Sequence, residues 1–421
     1  MLVSFPYGEK SVVVELPDEQ TKILSSREIP TFKNVEKEIV KRLEKPIAAP
    51  PLSSIVKKIS KILIVIPDIT RACPTKKIIE PLLELIERSS PAEVNILVAN
   101  GLHRSITDKE IIELVGSKIA KEYQVINHVA TDEAQLIRLG GHTAYGTPLV
   151  VNKLVIESDL VIGIGLIEPH FVAGYSGGRK ILLPGVAGAE AIFNNHSYKM
   201  IDHPNSRVGI LDGNPMHEDM MEFMKRTKLD FIVNVIINKD KKISGIFAGN
   251  PVEAHLAGIR ELEKYVKVRY DRPSDIVITT NGGYPLDRDV YQTVKGMDTA
   301  AMVVRDGGVI IMVAECRDGL GGHEEFVRLV EGTNTPKEIL ERVRRAEPVY
   351  DQWQAQLLAR VLKKAKVIMV TEGEKPNTLK KLQLDWAASL EDALELAKNI
   401  VGKTPTITAI PEGPYIIPTI K

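Results

Sequence analysis

The most restrictive feature of this 421-residue chain is a series of short apolar segments, each followed by polar residues and then by a helical pattern. Most of the segments are five to seven residues long and rich in Val and Ile. That composition is typical of strands buried on both faces of a parallel sheet, with helices as the crossover connections. The chain is therefore predicted to be an α/β protein with mainly parallel sheets flanked by helices. The predicted strands are residues 61–66, 94–98, 160–165, 231–237, 275–279, 309–313 and 367–370.

Several segments between and around these strands have helical periodicity. The alternating residues 12–16, before a Pro-Asp turn, instead predict a small β element or hairpin near the start of the chain. The predicted helices are residues 35–43, 78–88, 108–114 and 391–401.

The chain length predicts two domains, at about 100–200 residues for each. We place an N-terminal cofactor-binding domain at residues 1–270 and a C-terminal domain, which closes over the substrate, at residues 274–408. The Pro-rich tail, residues 409–421, is expected to pack back on the first domain. In proteins with two such domains the cleft between them is the natural binding site, so we expect the active site there.

Charge and composition exclude several classes of function. The chain has 55 basic and 55 acidic residues, a balance that argues against nucleic-acid binding and against a polybasic membrane contact. No apolar run of about 18 residues predicts a membrane span, and the first residues lack a signal-peptide pattern. The two cysteines, Cys73 and Cys316, form no CxxC motif, which excludes a thiolate-rich metal site. We expect a cytoplasmic enzyme without nucleic-acid or membrane partners.

Polar side chains with catalytic potential follow four of the predicted strands. Ligands of open α/β sheets bind at the carboxyl ends of the strands, so these residues are candidates for a functional site. The candidates are Asp68, Thr70 and Arg71; His103 and Arg104; Glu168 and His170; and Asn281 to Tyr284, which lead to Tyr291, Gln292 and Lys295.

His103 and His170 are the most suggestive pair among them. A single histidine at a strand end is more often a capping or hydrogen-bonding residue than a catalyst. An imidazole can nevertheless give or take a proton near neutral pH. Two imidazoles on opposite sides of one carbon could therefore serve both faces of a substrate, which is what a racemase or epimerase requires.

The segment Gly-Tyr-Ser-Gly-Gly-Arg-Lys at residues 174–180 can be interpreted in three ways. It is an ordinary turn, or its glycines and cations hold a phosphate, or Lys180 is a covalent tether. It matches neither the phosphate-binding loop of NTPases nor a GxGxxG motif.

His196 could complete a three-histidine metal set with His103 and His170, although the spacing fits no compact metal motif. We interpret the remaining histidines as surface or structural residues, although His142, beside Gly140 and Gly141, is a weak candidate. They are His128, His142, His203, His217, His255 and His323.

Taken in order, these motifs resemble those of the nickel-dependent lactate racemases, which use a nickel-pincer nucleotide cofactor. Each segment alone is weakly specific, whereas the ordered set is specific. The matching segments are residues 68–71, 101–104, 168–170, 174–180, 194–196 and 291–296, together with Trp353.

The resemblance implies a role for each matching residue. Lys180 would carry the cofactor, a pyridinium mononucleotide with two sulfur arms, and His196 would be the protein ligand of nickel. His103 and His170 would be the paired acid–base residues. Further cofactor contacts would come from Asp68, Thr70, Arg71, Gly177, Gly178 and Arg179. The substrate side would be lined by Arg71, Tyr291, Gln292, Lys295 and Trp353.

The activity implied by the resemblance is racemisation of a 2-hydroxy acid, first of all lactate, by hydride transfer through a 2-keto acid. Enzymes that mature the cofactor would be partners. The same chemistry on malate, a longer aliphatic or aryl hydroxy acid, or an aldonate is the first alternative. A nicotinamide-dependent dehydrogenase is a second, against which the missing GxGxxG argues. A cofactor-binding protein without turnover is a third, against which the presence of His103 and His170 argues.

Overall fold

The computed structural model describes all 421 residues and divides into two compact units. The N-terminal unit comprises Glu28–His196 and His203–Tyr265. The C-terminal unit comprises Met1–Arg27, Ser197–Asp202 and Val266–Lys421.

The strands are numbered β1 to β20 in chain order. They span Leu2–Tyr7, Lys10–Glu15, Thr21–Ile23, Lys61–Pro67, Glu93–Ala99, Gln124–Asn127, Leu136–His142, Pro148–Asn152, Leu160–Leu166, Pro169–His170, Gly174–Tyr175, Phe231–Ile237, Ile243–Gly249, Lys267–Tyr270, Ser274–Thr280, Val304–Val313, Ala365–Val370, Asp385–Ala387, Ile407–Ile410 and Ile417–Ile420.

The helices are numbered α1 to α16 in the same way. They span Val35–Glu44, Leu52–Val56, Thr75–Ser89, Asp108–Val115, Ser117–Glu122, Lys153–Glu157, Ala189–Asn195, Tyr198–Asp202, Pro215–Arg226, Glu253–Val266, Val290–Val303, Glu324–Val330, Pro336–Arg345, Gln352–Lys364, Pro376–Lys381 and Leu390–Val401. Short 3-10 helices lie at Asp18–Gln20, Gly178–Ile181 and Gly413–Tyr415. None of the helices is both long enough and apolar enough to span a membrane.

The sheet of the N-terminal unit has six strands in the order β13-β12-β9-β4-β5-β6. All neighbouring pairs are parallel except β12 with β13. The chain begins this sheet with β4, extends it through β5 and β6, and then continues on the other side of β4 with β9. The strand order therefore reverses between β4 and β9. Open α/β sheets bind ligands outside the carboxyl ends of their strands at such a switch point.

Burial on both faces explains why the strands of this sheet are apolar throughout. In β4, Ile62 and Ile64 belong to the same buried cluster as Leu82 of α3. Leu63 and Val65, which point to the opposite face, are also fully buried. A strand covered on both faces has no solvent side on which polar residues would be favourable. The prediction of buried parallel strands is confirmed here.

The sheet of the C-terminal unit also has six strands, in the order β18-β17-β16-β15-β19-β3, and all its pairs are parallel. From β15 the chain adds β16, β17 and β18 in turn on one side of the sheet. The next strand, β19, pairs on the other side of β15. The predicted fold class, two mainly parallel sheets flanked by helices, is therefore confirmed.

The start of the chain belongs to the C-terminal unit, which differs from the predicted domain of residues 1–270. The hairpin β1–β2 buries Val3 and Phe5 in the same core as Ile311, and β3 forms the edge strand beside β19. The hairpin itself was predicted, but periodicity indicates that a strand exists and not which sheet it joins.

The tail was predicted to pack on the first domain, placed at residues 1–270. Its strand β20 pairs in parallel with β14, which lies within those bounds but belongs to the C-terminal unit of the structure. The segment Ser197–Asp202, which contains α8, also belongs to the C-terminal unit, although the segments before and after it in the chain belong to the N-terminal unit. There the amide of Gln356 in α14 donates to the carbonyl of Tyr198 at 3.0 Å.

We expect Phe5→Ala to destabilise the C-terminal unit strongly. Phe5 is 0% exposed, and removing a buried phenyl ring costs about 3–5 kcal/mol. Leu2, in the same strand, is 74% exposed, so Leu2→Ala should change stability by no more than about 0.5 kcal/mol. Both tryptophans, Trp353 and Trp386, lie in this unit, so denaturant unfolding followed by tryptophan fluorescence measures the difference. Equal midpoints for the two variants would contradict the placement of the hairpin.

Candidate active site

The loops that follow β4, β5 and β9 carry the sequence-predicted residues of the N-terminal unit. Asp68 begins the loop after β4, and Glu168 lies just after β9, on the other side of the switch point. An ion pair joins the two loops, because Arg71 Nη1 lies 3.6 Å from Glu168 Oε1. The loop after β5 is joined to the segment after Lys180, since the Gly101 amide donates to the Gly185 carbonyl at 2.9 Å. The loops that carry Asp68, His103 and Glu168 therefore follow the carboxyl ends of neighbouring strands, and these contacts join them to one another and to the segment after Lys180.

Asp68 is a buried carboxylate that holds His103. Its Oδ2 lies 2.7 Å from His103 Nδ1, and its Oδ1 accepts the Thr70 hydroxyl at 2.6 Å. Burial alone would raise the pKa of Asp68. Hydrogen bonds from His103 and Thr70, with the charges of His103 and Arg71, outweigh burial and lower that pKa below its ordinary value. Asp68 is therefore an ionised hydrogen-bond acceptor, and His103 must supply the proton at Nδ1.

His170 is buried in the short hairpin of β10 and β11. Its Nδ1 accepts the backbone amides of Val172 at 3.4 Å and Ala173 at 3.2 Å, and its ring stacks on Phe171. The Ala173 carbonyl in turn accepts Arg179 Nη2 at 2.7 Å. Main-chain groups of a tight turn therefore fix the orientation of this imidazole.

Two glycines allow the turn before Lys180. Gly177 and Gly178 have φ angles of 76° and 54°, in the left-handed region that glycine adopts most easily. A Cβ on Gly178 would come within 2.6 Å of the His255 ring, and one on Gly177 within 2.8 Å of the Asn234 side-chain oxygen. The Asn234 oxygen also accepts the Gly178 amide at 2.7 Å. These glycines thus allow close approach of protein groups in a tight turn, while phosphate binding by this segment stays a prediction.

Arg179 points into the interior of the N-terminal unit. The residue is 1% exposed, and burial lowers the pKa of its guanidinium to about 9. Its contact with the Ala173 carbonyl supports the turn that holds His170. In the structure, Arg179 therefore supports the turn that holds His170. A contact of Arg179 with a cofactor stays a prediction.

Lys180 and His196 are buried close to each other. Each residue is 9% exposed. Burial, and then the charge of Lys180, lowers the pKa of His196 to about 3. Its Nδ1 lies 3.2 Å from the Ile192 carbonyl, which can only accept a hydrogen bond, so the proton of the neutral ring is placed on Nδ1. A neutral imidazole with one nitrogen bonded to a carbonyl is the usual state of a metal-binding histidine.

A buried carboxylate that sequence reasoning missed anchors the end of α7, next to His196. Asp219 is fully buried and accepts the Thr147 hydroxyl at 2.7 Å and the Asn195 side-chain amide at 2.6 Å. It also accepts the Thr143 hydroxyl. Nothing in the sequence near Asp219 marks it, because its partners are distant in the chain.

The residues can hold a metal ion only with help from another ligand. The chain places no group of three or more His, Cys, Asp or Glu side chains together for a metal. An ion bound by His196 would take its other donors from a non-protein group. A buried lysine beside that histidine provides an amine for attaching such a group. The pair Lys180 and His196 therefore fits a tethered cofactor that brings most of the metal ligands itself.

The predicted residues of the C-terminal unit also lie together. Tyr291, Gln292 and Lys295 occupy the first turns of α11, and Lys295 Nζ donates to Gln292 Oε1 at 2.6 Å. The Trp353 indole donates to the Tyr291 hydroxyl at 3.0 Å. Asp289 caps α11 by accepting the Gln292 amide at 2.7 Å. This end of α11 follows the loop after β15, at the carboxyl edge of the second sheet.

His323 belongs to this group, although sequence reasoning had interpreted it as a surface or structural residue. Its ring stacks on Tyr291 with centroids 3.6 Å apart. Its Nδ1 lies 2.7 Å from Asp351 Oδ2, and the other oxygen of Asp351 accepts the Tyr291 hydroxyl at 2.8 Å. One signal could have found it, since His323 follows the Gly-rich segment after the predicted strand 309–313.

Comparison with known proteins decides the family. The family model for the lactate racemase N-terminal domain matches residues 7–209. The family model for the lactate racemase C-terminal domain matches residues 270–417. The chain belongs to the lactate racemase family. Its members by name are racemases, so the chain is an isomerase of this family.

Full-length relatives and solved structures agree with this assignment. The chain is 39% identical to the lactate racemase of Thermoanaerobacterium thermosaccharolyticum, covering 99% of this chain and 98% of the relative. It is 37% identical to that of Lactiplantibacillus plantarum, covering 99% of both. The apoprotein structure of the T. thermosaccharolyticum lactate racemase has a TM-score of 0.95, at 37% identity and full coverage of both chains. A Thermotoga maritima protein, at 18% identity and a TM-score of 0.71 over 94% of this chain and all of that one, shares the fold.

We expect the apoprotein to lose stability as the pH falls from about 6.5 to about 4. Burial, aided by the charge of Arg179, lowers the pKa of His255 to about 3, and burial also lowers that of His128 to about 4. Below a pH of about 6.5, the pKa of histidine in the unfolded chain, these rings take up protons only when the protein unfolds. The free energy of unfolding therefore falls by about 1.4 kcal/mol for each pH unit and each histidine.

Denaturant unfolding followed by circular dichroism over this pH range measures the effect. His255→Gln should make the decline shallower by about 1.4 kcal/mol per pH unit. The exposed His142 provides the control variant His142→Gln, which should keep the original slope. An unchanged slope in His255→Gln would contradict the burial of a neutral imidazole at this position.

Proposed function

We propose that this protein racemises a 2-hydroxy acid, lactate first, with a nickel-pincer nucleotide held by Lys180 and His196. The observation that carries the proposal is the convergence of His103, His170 and Lys180 at the sheet edge beside the switch point. Proton-transfer residues and a buried amine next to a neutral imidazole are what such chemistry needs. The lactate racemases that match the chain over its full length support the choice of substrate.

The residues of the chain divide the work of holding the cofactor. Lys180 would provide the covalent attachment, and His196 the protein ligand to nickel. Asp219 keeps the end of α7 in place through Asn195, and thereby the backbone of His196. Thr70, Arg71 and the turn at Gly177 and Gly178 would contact the nucleotide part. The chemistry that the cofactor supplies when bound is the reversible removal of the substrate's Cα hydrogen as a hydride.

His103 and His170 move the proton of the substrate hydroxyl. When the hydroxyl proton passes to a histidine and the Cα hydrogen leaves as hydride, the Cα–O bond becomes a carbonyl and the product is a planar 2-keto acid. Return of the hydride to the other face, with a proton from the other histidine, which must then be an imidazolium, gives the opposite enantiomer and leaves the two rings with their protonation states exchanged. The two imidazoles therefore serve the two faces.

Cationic and polar side chains bind the carboxylate throughout. Arg71 is the candidate in the N-terminal unit, and a substrate carboxylate would replace Glu168 as its partner. Lys295 is the candidate in the C-terminal unit. There, Gln292 adds a neutral hydrogen bond, while Tyr291 and Trp353 supply an apolar wall with polar tips.

We expect the cofactor-loaded enzyme to interconvert the two lactate enantiomers, measured by chiral chromatography. His103→Gln and His170→Gln should each lower the rate by about 10²–10⁴-fold, because each removes a positioned acid–base group. His142→Gln, at an exposed site, should keep the original rate. A panel of malate, longer hydroxy acids and aldonates identifies the preferred substrate. If no 2-hydroxy acid is racemised, the proposed function is wrong.

We expect Lys180→Ala and His196→Ala to fail at different steps of cofactor binding. Protein produced with the cofactor-maturation enzymes should carry a nucleotide-sized mass adduct, which Lys180→Ala lacks. His196→Ala should keep the adduct but lose most of the nickel in elemental analysis. Lys225→Ala, at an exposed position of α9, is the matched control and should keep both. An adduct of unchanged mass on Lys180→Ala would reject the tether.

A further inference from the structure

The two histidines of the proposed reaction have opposite hydrogen-bond partners at the same ring nitrogen. Nδ1 of His103 faces a carboxylate, which can only accept a hydrogen bond. Nδ1 of His170 faces two backbone amides, which can only donate. In a neutral imidazole one nitrogen carries the proton and the other the lone pair, so these partners determine the tautomer of each ring.

From this we propose that His103 and His170 are held in opposite neutral tautomers and are therefore unequal proton-transfer groups. His103 carries its proton on Nδ1 and presents a lone pair on Nε2, so it is set as a base. His170 carries its proton on Nε2 and is set as a hydrogen-bond donor. Asp68 is the positioning residue for the first ring, and the turn at Val172 and Ala173 positions the second. The inference rests on the proposed function only for its kinetic consequence.

The partner of His103 is firmly held. Asp68 is 4% exposed, and its second oxygen accepts both the hydroxyl and the backbone amide of Thr70, at 2.6 and 3.1 Å. The charge of Arg71 also stabilises its ionised form. A fixed, ionised carboxylate leaves His103 no alternative to protonation at Nδ1. Asp68 was predicted from sequence as a cofactor contact, and its hydrogen bonds give it this other role.

The partners of His170 are equally constrained. The amides of Val172 and Ala173 belong to the connection of the β10–β11 hairpin, in which His170 pairs with Gly174. The Ala173 carbonyl is held by the buried Arg179 and by the Tyr175 amide, at 2.7 and 2.9 Å. Moving the proton of His170 to Nδ1 would set three donors against one another in a buried turn. The ring therefore stays an acceptor at Nδ1.

The consequence for catalysis is that the resting site matches one enantiomer better than the other. A substrate whose hydroxyl meets His103 can give up its proton directly to Nε2. A substrate whose hydroxyl meets His170 meets an N–H there, so His170 can take up that proton only after its own proton has moved to Nδ1 and the turn has rearranged. When His103 is the base, His170 can return a proton to the product only after gaining a second proton, which also requires the turn to rearrange. Enantiomers have equal free energy in water, so kcat/KM must be the same in both directions. The unequal roles of the two histidines must therefore appear as KM and kcat values that differ between the enantiomers by the same factor.

The test is the tautomer itself, read in the protein without cofactor. Two-bond ¹H–¹⁵N spectra of protein with ¹⁵N-labelled histidine distinguish protonated from unprotonated ring nitrogens. They are recorded about two units above the ordinary imidazole pKa of about 6.5. His103→Gln and His170→Gln identify the two signals. We expect Nδ1–H for His103 and Nε2–H for His170. The same tautomer in both rings would overturn the proposal.

Asp68→Ala separates positioning from a general loss of structure. It should move the proton of His103 to Nε2, the ordinary preference of a free imidazole, while leaving the His170 signal unchanged. In the loaded enzyme it should lower kcat/KM by about 10²–10⁴-fold, equally for both enantiomers. Asp240→Ala, at an exposed aspartate, should change neither measurement. An unchanged His103 signal in Asp68→Ala would refute the role of Asp68.

Kinetics of the loaded enzyme complete the test and separate the two proposals. Unequal KM values for the enantiomers, with kcat values in the same ratio, are expected. Equal KM values in an active enzyme would refute the unequal roles and leave the proposed function standing. Opposite tautomers in a protein that racemises no 2-hydroxy acid would refute the proposed function and leave the tautomer assignment standing.

Discussion

Parallel pairing of β4 with β9 is the interaction on which the site of the N-terminal unit depends. It places the carboxyl ends of two strands side by side, and so brings Asp68 and Glu168 to one edge although they are far apart in the chain. The loops at that edge are free of the hydrogen bonds that fix the sheet, so they can carry polar residues. The ion pair of Arg71 with Glu168 is one result.

The fold could be predicted to the extent that it is encoded locally. The buried strands and the amphipathic helices were confirmed because their apolar patterns follow directly from burial on one or both sides. Membership of a sheet was not predictable. The strand β3 has only three residues, and it pairs with β19 through contacts between the two ends of the chain. Short edge strands carry too little pattern to show their partners.

For the site, the sequence indicated which residue types matter but not what they contact. Asp68 was predicted from its place after a strand, yet its bond to His103 joins loops that only the folded sheet brings together. Asp219 went unnoticed and His323 was interpreted as a surface or structural residue for the same reason, since their partners are remote in sequence. The charge of a side chain can be known from sequence, whereas its protonation state depends on these partners.

The pairing of β3 with β19 affects the order in which the protein can be completed during synthesis. Residues 21–23 leave the ribosome early, and their partner strand, residues 407–410, is made almost last. The N-terminal unit is complete once Tyr265 has been made, so it can fold while the rest of the chain is still being translated. Lys180 and His196 belong to that unit and can therefore take their places in its fold before the second sheet exists, whereas the first 27 residues must wait for the end of translation.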